Sequence, residues 1–428
     1  MAAQKQIILL LIVLAMSSVS LAQTLESVRP GDAGEAHFDD LRVRGYEALF
    51  SLDYETANRL FKEMARLYPD HPAGPQCLAA TLWLQELNRA RHRQALLYST
   101  ESFNSSEDEA DPRLVEQFRY WTRTATRLAE ARLRRNSRDV EALYFLGVTD
   151  GLRAVFAAAV ERRFRAALSD SSRAVNRHRE VLKLDPNFHD AELSIGMRDF
   201  IVGSLPLPIK MLARIAGVRG SKKRGLETLE RVAREGRWAR VIARLLLIDL
   251  YKREKRWTEA IAASRELATR YPRNYLFQLQ AADGLVARAA TLRQTKGATA
   301  SAASADQDEA FRIFESLLQD RTTLSGSGRA VATDLIHFRY GEALLMAGQP
   351  QRATEEFRAA SRQVGGEPAL TAMARLRAAQ SMDLSGRRRE ALAEYRAVLA
   401  DPKSPRSYDA AKRGLREPYR MTDYSDDR

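Results

Sequence analysis

The chain has 428 residues, of which 45% are hydrophobic and 29% charged, and its formal net charge is +13. That length exceeds one ordinary domain, and that composition excludes wholesale disorder. A single cysteine, Cys77, excludes an intramolecular disulfide, a Cys-rich zinc finger and an iron–sulfur cluster.

The basic balance invites a nucleic-acid reading, but it consists of 57 Arg against 11 Lys, interleaved with 55 acidic residues. Carboxylates spread among arginines read as charged helical faces rather than a phosphate-binding stripe, so no nucleic-acid partner is expected.

At the N-terminus, Lys5 precedes an unbroken apolar run from Ile7 to Met16, and Ser20-Leu21-Ala22 stands ahead of Gln23. This is the pattern of a secretory signal peptide over residues 1–22, cleaved near Ala22. The run is shorter than the roughly 20 apolar residues of a spanning helix. An uncleaved anchor is the alternative. The expected location is therefore outside the cytoplasm, periplasmic or secreted, with residues 23–37 as a linker. After residue 22 no segment is expected to span a bilayer. The best apolar stretch, Leu193 to Ala216, is broken by Arg198, Asp199, Pro206, Pro208, Lys210 and Arg214.

From residue 38 onward, runs rich in Val, Ile and Thr are almost absent, and Ala, Leu, Arg and Glu dominate. Helical spacing is plain in Ala57-Leu60-Phe61-Met64, in Leu245 to Tyr251 and in Phe311-Phe314-Leu317-Leu318. Glu101 to Asp111, with five acids and no base, reads as an exposed loop, and Asn104-Ser105-Ser106 is a glycosylation sequon within it.

One spacing recurs. Gly45 is followed at twelve residues by Ala57, at four more by Phe61 and at eight more by Pro69. Gly341, Ala353 and Phe357 repeat the first two steps, as do Ala379, Ala391 and Tyr395. Ala260 precedes Pro272 by twelve residues, and Ala174 precedes Pro186 likewise. The spacing predicts antiparallel helix pairs. A small residue on each helix allows close approach, an aromatic fills the space beside them, and proline ends the second helix. One such pair cannot bury its apolar stripe, so copies must stack. His178 and Ser264 stand where two of the aromatics belong, which predicts looser packing in those units.

On these residues, the segments Leu41–Pro69, Arg244–Pro272, Ile336–Ala360 and Arg375–Pro402 resemble tetratricopeptide repeats. The resemblance implies an all-α solenoid of degenerate repeat pairs. A second resemblance covers roughly residues 140–280, with the run Gly203 to Leu226, then Leu245 to Tyr251 and Tyr271-Pro272-Arg273-Asn274. That order is similar to exported bacterial tetratricopeptide proteins and to the eukaryotic inclusion-body-clearance family. It implies an adaptor or scaffold rather than an enzyme.

The expected organisation is an irregular helical array over 38–288, a flexible low-complexity segment at 289–306, regular repeats with a capping helix at Tyr408–Leu415 over 307–420, and a disordered tail at 421–428.

Nothing in the chain carries a catalytic signature. The six histidines show no metalloprotease spacing, Cys77 lies in an apolar stretch, and Gly220-Ser221-Lys222 lacks the partner glycine of a phosphate-binding loop. No metal and no cofactor are expected. One candidate anion site remains. Arg219, Lys222, Lys223 and Arg224 lie on a loop bounded by Gly217, Gly220 and Gly225, just ahead of an expected helix. The alternative is a solvated turn. Arginine-rich concave walls would suit acidic peptides. The expected function is thus a protein-interaction scaffold of the cell envelope with a protein or peptide partner. The competing reading is a peripheral membrane contact through Leu193–Ala216.

Overall fold

The computed structural model describes residues 33–89, 111–215, 217–295, 300–319, 332–364, 366–400 and 407–420. Residues 1–22, expected to be a signal peptide, the sequon at Asn104 and residues 421–428, expected to be a disordered tail, lie outside these residues. Among the described residues there are eighteen α-helices, one short 3-10 helix and no strand. The chain divides into two units, Met1–Glu86 with Ser106–Leu250, and Leu87–Ser105 with Tyr251–Arg428.

The first unit begins with the pair α1 (Ala33–Phe50) and α2 (Tyr54–Leu67), followed by α3 (Ala73–Arg89) and α4 (Pro112–Arg135). The pair α5 (Val140–Ala159) and α6 (Phe164–Leu184) leads through a 3-10 turn at His189–Ala191 to α7 (Glu192–Ser204). A short helix, α8 (Leu207–Ile215), is inserted before α9 (Lys222–Glu235), the packing partner of α7. Helix α10 (Arg240–Arg253) is followed by α11 (Trp257–Arg270). The second unit goes on with α12 (Tyr275–Gln294), α13 (Ala300–Gln319), α14 (Thr333–Met346), α15 (Pro350–Ser361), α16 (Pro368–Leu384), α17 (Arg388–Ala400) and the capping helix α18 (Tyr408–Arg416). Each unit is a stack of helix pairs, and the fold is the expected all-α solenoid.

The small-residue rule is visible in atomic contacts. A Cβ added at Gly45 would lie 2.3 Å from Phe61 Cε1, and one at Gly341 would lie 2.7 Å from Phe357 Cε1. Gly414 of the capping helix meets the Tyr395 ring in the same way, at 2.3 Å. Ala57, Ala260, Ala353, Ala379 and Ala391 are all fully buried, as are Phe61, Phe357 and Tyr395. Pro69 and Pro272 are exposed and stand two residues beyond the ends of α2 and α11, so they stop helices rather than pack.

A second regularity lies in the turns. Leu52, Arg162, Lys255, Gly348 and Gly386 adopt the left-handed conformation, with φ of 62°, 57°, 57°, 72° and 74°. Each stands five residues before a fully buried alanine: Ala57, Ala167, Ala260, Ala353 and Ala391. In the long helix α6 two alanines meet these registers: Ala167 stands five residues after the left-handed Arg162, while Ala174 stands four residues before the His178 ring and packs against Gly151.

The expected looseness at His178 is not found. Its ring is buried against Gly147, where a Cβ would lie 2.5 Å away, and so takes the aromatic's place. Nδ1 meets Ser194 Oγ at 2.7 Å and Nε2 faces the Tyr144 carbonyl at 3.2 Å. Burial pulls the imidazole down to about 4, against the pull of its Tyr144 hydrogen bond, so the ring is neutral at pH 7. Ser264 is also fully buried, with its hydroxyl donated to the Ala260 carbonyl at 2.8 Å.

Three expected boundaries shift. Helix α1 starts at Ala33, inside the stretch read as a linker. Residues 289–294 and 300–306, read as flexible, are helical, because Ala289, Ala303 and Asp306 are buried between α12 and α13. The Leu193–Ala216 stretch is two things: α7 is a core helix with Leu193, Met197 and Phe200 buried, whereas α8 buries no residue.

Helix α5 is long and apolar enough to cross a membrane, but 89% of its apolar window is buried within the protein. It carries the buried Asp150, which accepts from Arg177 Nε at 2.8 Å, as suits a core helix of a repeat stack.

Two outcomes test this packing. Gly341→Ala forces a methyl into the Phe357 ring and is expected to cost about 1–3 kcal/mol in urea unfolding. Lys255→Gly relieves left-handed strain and should cost nothing or gain up to about 1 kcal/mol. For His178, the unfolded chain takes up a proton near pH 6.5 while the folded one resists until about 4. The His178 contribution is thus present above pH 6.5 and lost as the pH falls toward 4. His178→Phe should gain on the wild type by up to about 3 kcal/mol between pH 7 and 4; an unchanged difference would overturn this reading.

Candidate functional site

The turns between successive pairs of the first unit converge on a cleft of about 650 Å³. Phe38 and Asp39 come from α1, Tyr68 and His71 from the α2–α3 turn, and Glu141 from the first turn of α5. Asp185, Phe188, His189 and Asp190 come from the turn after α6, and Glu235, Arg237 and Trp238 from the α9–α10 turn.

One wall is aromatic. Phe38 packs edge-on to Tyr68 at 5.1 Å and tilted against His71 at 4.4 Å. Trp238 packs against Phe188, Tyr144 and Phe145 at 5.5, 5.2 and 5.3 Å, and the Arg42 guanidinium lies 4.7 Å from its ring centroid. Among the described residues the buried Trp238 Nε1 has no acceptor.

The other wall is acidic, with five carboxylates against one arginine. Asp190 is structural. It accepts the backbone amides of Arg237, Trp238 and Ala239 at 3.1, 2.7 and 2.6 Å and so caps α10 from a distant turn. Burial raises its carboxyl against the pull of those amides. Burial would also raise Glu141, but His71 Nε2 at 3.2 Å and Arg132 at 3.0 Å hold it down to about 2. The Ala73 amide donates to His71 Nδ1 at 3.1 Å, which places the ring proton on Nε2, toward Glu141. Asp39 pairs with Arg237 and Arg42. Asp185 receives the Asn187 amide at 3.0 Å, and Glu235 lies exposed, 3.5 Å from His189 Nε2. Asp185 and Glu235 line the cleft, and Glu235 also lies 3.8 Å from the adjacent Arg234.

Several arginines bridge neighbouring helices: Arg177 to Asp150, Arg231 to Glu192, Arg288 to Asp306, Arg377 to Glu342 and Arg388 to Asp383. They are held by carboxylates in the stack.

The glycine-bounded basic loop is placed as follows. Ser221 caps α9, and Lys222, Lys223 and Arg224 form that helix's first turn. Arg224 pairs with Asp199, Lys223 is exposed 3.9 Å from Glu227, and Arg219 is exposed. The glycines serve close packing: a Cβ at Gly220 would lie 2.5 Å from Val202, and one at Gly225 would lie 2.5 Å from the Phe200 nitrogen. Gly217, with φ of 77°, turns the chain after α8.

Cys77 is buried beside the Tyr46 hydroxyl at 3.0 Å, and burial pushes its thiol up to about 12. Among the described residues no group of three or more His, Cys, Asp or Glu is arranged to hold a metal ion.

None of the cleft residues was singled out as a site from the sequence. The available signal was the histidine two or three residues after Pro69 and Pro186, at two repeat junctions.

The paired helices, their left-handed turns and the small-to-aromatic contacts make this chain a tetratricopeptide-like helical-repeat protein. No family model and no curated protein matches it. Similar solved structures include the human IFIT1 dimer with m7Gppp-AAAA, at 11% identity and TM-score 0.45 over 91% of this chain and 86% of that one. Yeast Tom70 is 12% identical with a TM-score of 0.37, covering 90% and 91% of the two chains. A tetratricopeptide repeat protein from Parabacteroides merdae ATCC 43184 is 13% identical with a TM-score of 0.31, covering 80% and 99%.

Proposed function

We propose that this protein is a non-enzymatic interaction scaffold whose first-unit cleft holds a cationic segment of a protein partner. The supporting observation is the cleft's chemistry: Asp185 and Glu235 stand beside the Phe188 and Trp238 rings, in a chain whose net charge is +13. Trp238 already carries Arg42 and Arg237 over its ring, so the acidic rim beside the half-buried Phe188 ring is what suits a lysine or arginine side chain of the partner, by charge and by cation–π attraction. It repels a phosphodiester, so the partner is a peptide rather than a nucleic acid. The rigid helix ends that carry the rim pre-organise it, and repeat stacks commonly bind extended segments in this manner.

The binding test is calorimetric titration of the full chain with a short oligo-arginine peptide and with an oligo-glutamate control. The arginine peptide should bind and the glutamate peptide should not. Asp185→Asn combined with Glu235→Lys should weaken that binding about tenfold, with helical circular dichroism unchanged. Equal binding of both peptides, or an unaffected double variant, would sink the proposal.

The setting we propose is the cell envelope, because Lys5, the Ile7–Met16 run and Ser20-Leu21-Ala22 have the form of a signal peptide. Mass measurement of the mature protein should find Gln23 at its start and the protein in the soluble envelope fraction. A mature chain that retains residues 1–22 would overturn cleavage.

A further inference from the structure

Among the described residues, helix α8 differs from every other helix in burying nothing. Leu207, Met211, Leu212 and Ile215 are 73, 51, 67 and 82% exposed. At about 100° per residue, these four fall on one arc of the helix, and Pro208 falls within the same arc. The opposite side is what holds the helix to the protein. Lys210 Nζ donates to the Gly203 carbonyl at 3.0 Å, and α8 packs only lightly on the end of α7. Gly217 then turns the chain back toward α9, so the helix projects from the pair as a short insertion.

The surroundings of this apolar arc are cationic. Between Asp199 and Glu227 the chain has six bases, Lys210, Arg214, Arg219, Lys222, Lys223 and Arg224, and no acid. Arg224 is held by Asp199 and the exposed Lys223 lies 3.9 Å from Glu227, while Arg214 and Arg219 are exposed. Several arginines elsewhere in the stack are paired with carboxylates across helices, whereas here six bases follow one another in the chain with no intervening acid.

We propose that α8 is a membrane-docking element that lays Leu207, Met211, Leu212 and Ile215 into the interface of an anionic lipid bilayer, with Arg214, Arg219 and Lys223 against the headgroups. Charge decides between the possible covers of the apolar face. A second copy of the chain would bring two net-basic clusters together, in each of which Asp199 and Glu227 offset only Arg224 and Lys223, which is repulsive at the short range the apolar contact requires. An anionic bilayer satisfies both halves at once: aliphatic side chains enter the acyl boundary, and each base near the surface adds about 1 kcal/mol of attraction. The four apolar side chains are all more than half exposed, which fits contact with a surface outside the protein. With only nine residues, α8 gives reversible, salt-sensitive association rather than a permanent anchor.

The element is narrower than the Leu193–Ala216 stretch that the apolar sequence outlined. Its first half, α7, is sealed against α9.

The test reads α8 directly, so that the apolar N-terminal run does not contribute. In the full chain, Leu212→Cys is labelled with an environment-sensitive fluorophore, while the buried Cys77 stays unlabelled. Phosphatidylglycerol-containing vesicles should shift the emission to the blue, pure phosphatidylcholine vesicles should not, and high salt should reverse the shift. In parallel, Met211→Glu with Ile215→Glu should lower vesicle co-sedimentation about tenfold against the otherwise identical chain, with helical content unchanged. No shift on anionic vesicles, an equal shift on both vesicle types, or a concentration-dependent shift without lipid would each overturn the proposal. The last of these would point to a second copy or another protein as the cover.

Discussion

Everything in this structure depends on how closely two helices of a pair can approach. Where Gly45 faces Phe61, Gly341 faces Phe357 and Gly414 faces Tyr395, a ring occupies the space a Cβ would need. The contact does two jobs. It buries a large apolar side chain completely, and it fixes the register of one helix on the other to within a residue. Gly147 and His178 show that the shape of the ring matters more than its chemistry, since an imidazole kept neutral by burial fills the same place.

Close pairing determines where the charges go. Arginines on neighbouring helices meet carboxylates such as Asp150, Glu192, Asp306 and Asp383, so much of the large basic count is neutralised locally. Isolated surface pairs contribute little, but partly buried bidentate ones such as Arg231 with Glu192 fix the geometry between elements. Two regions escape the pattern, with opposite sign. At the repeat junctions of the first unit, acids gather beside aromatic rings. Around α8, bases gather beside an exposed apolar face. Departures from a regular charge pattern are where partners of opposite charge have something to recognise.

The two departures also differ in rigidity. The cleft is built from helix ends tied together by Asp190, which binds three amides of the α9–α10 turn, and by the His71–Glu141–Arg132 chain. Helix α8 is tethered by one side-chain hydrogen bond and a glycine turn. A pre-ordered cleft favours selectivity, and a lightly held amphipathic helix suits a deformable surface.

Much of the fold was legible in the residues alone, and the reason is periodicity. The glycine, alanine and aromatic steps from Gly45, Gly341 and Ala379, the stops at Pro69 and Pro272, and the capping helix near Tyr408 follow from contacts made within one helix pair. Such contacts leave a spacing in the sequence. In the long pair α5–α6 the turn at Arg162 picks out Ala167 and the ring of His178 picks out Ala174, a split that the spacing alone does not show. The cleft was illegible for a stronger reason. Phe38, His71, Glu141, Asp190 and Trp238 come from five separate stretches of chain and share no spacing. Likewise, composition could not separate α7 from α8, because both are apolar. What the sequence by itself determined is therefore the repeating pair, since local packing repeats locally. Which acids meet at a junction and which apolar helix stays uncovered was decided only when the pairs stacked.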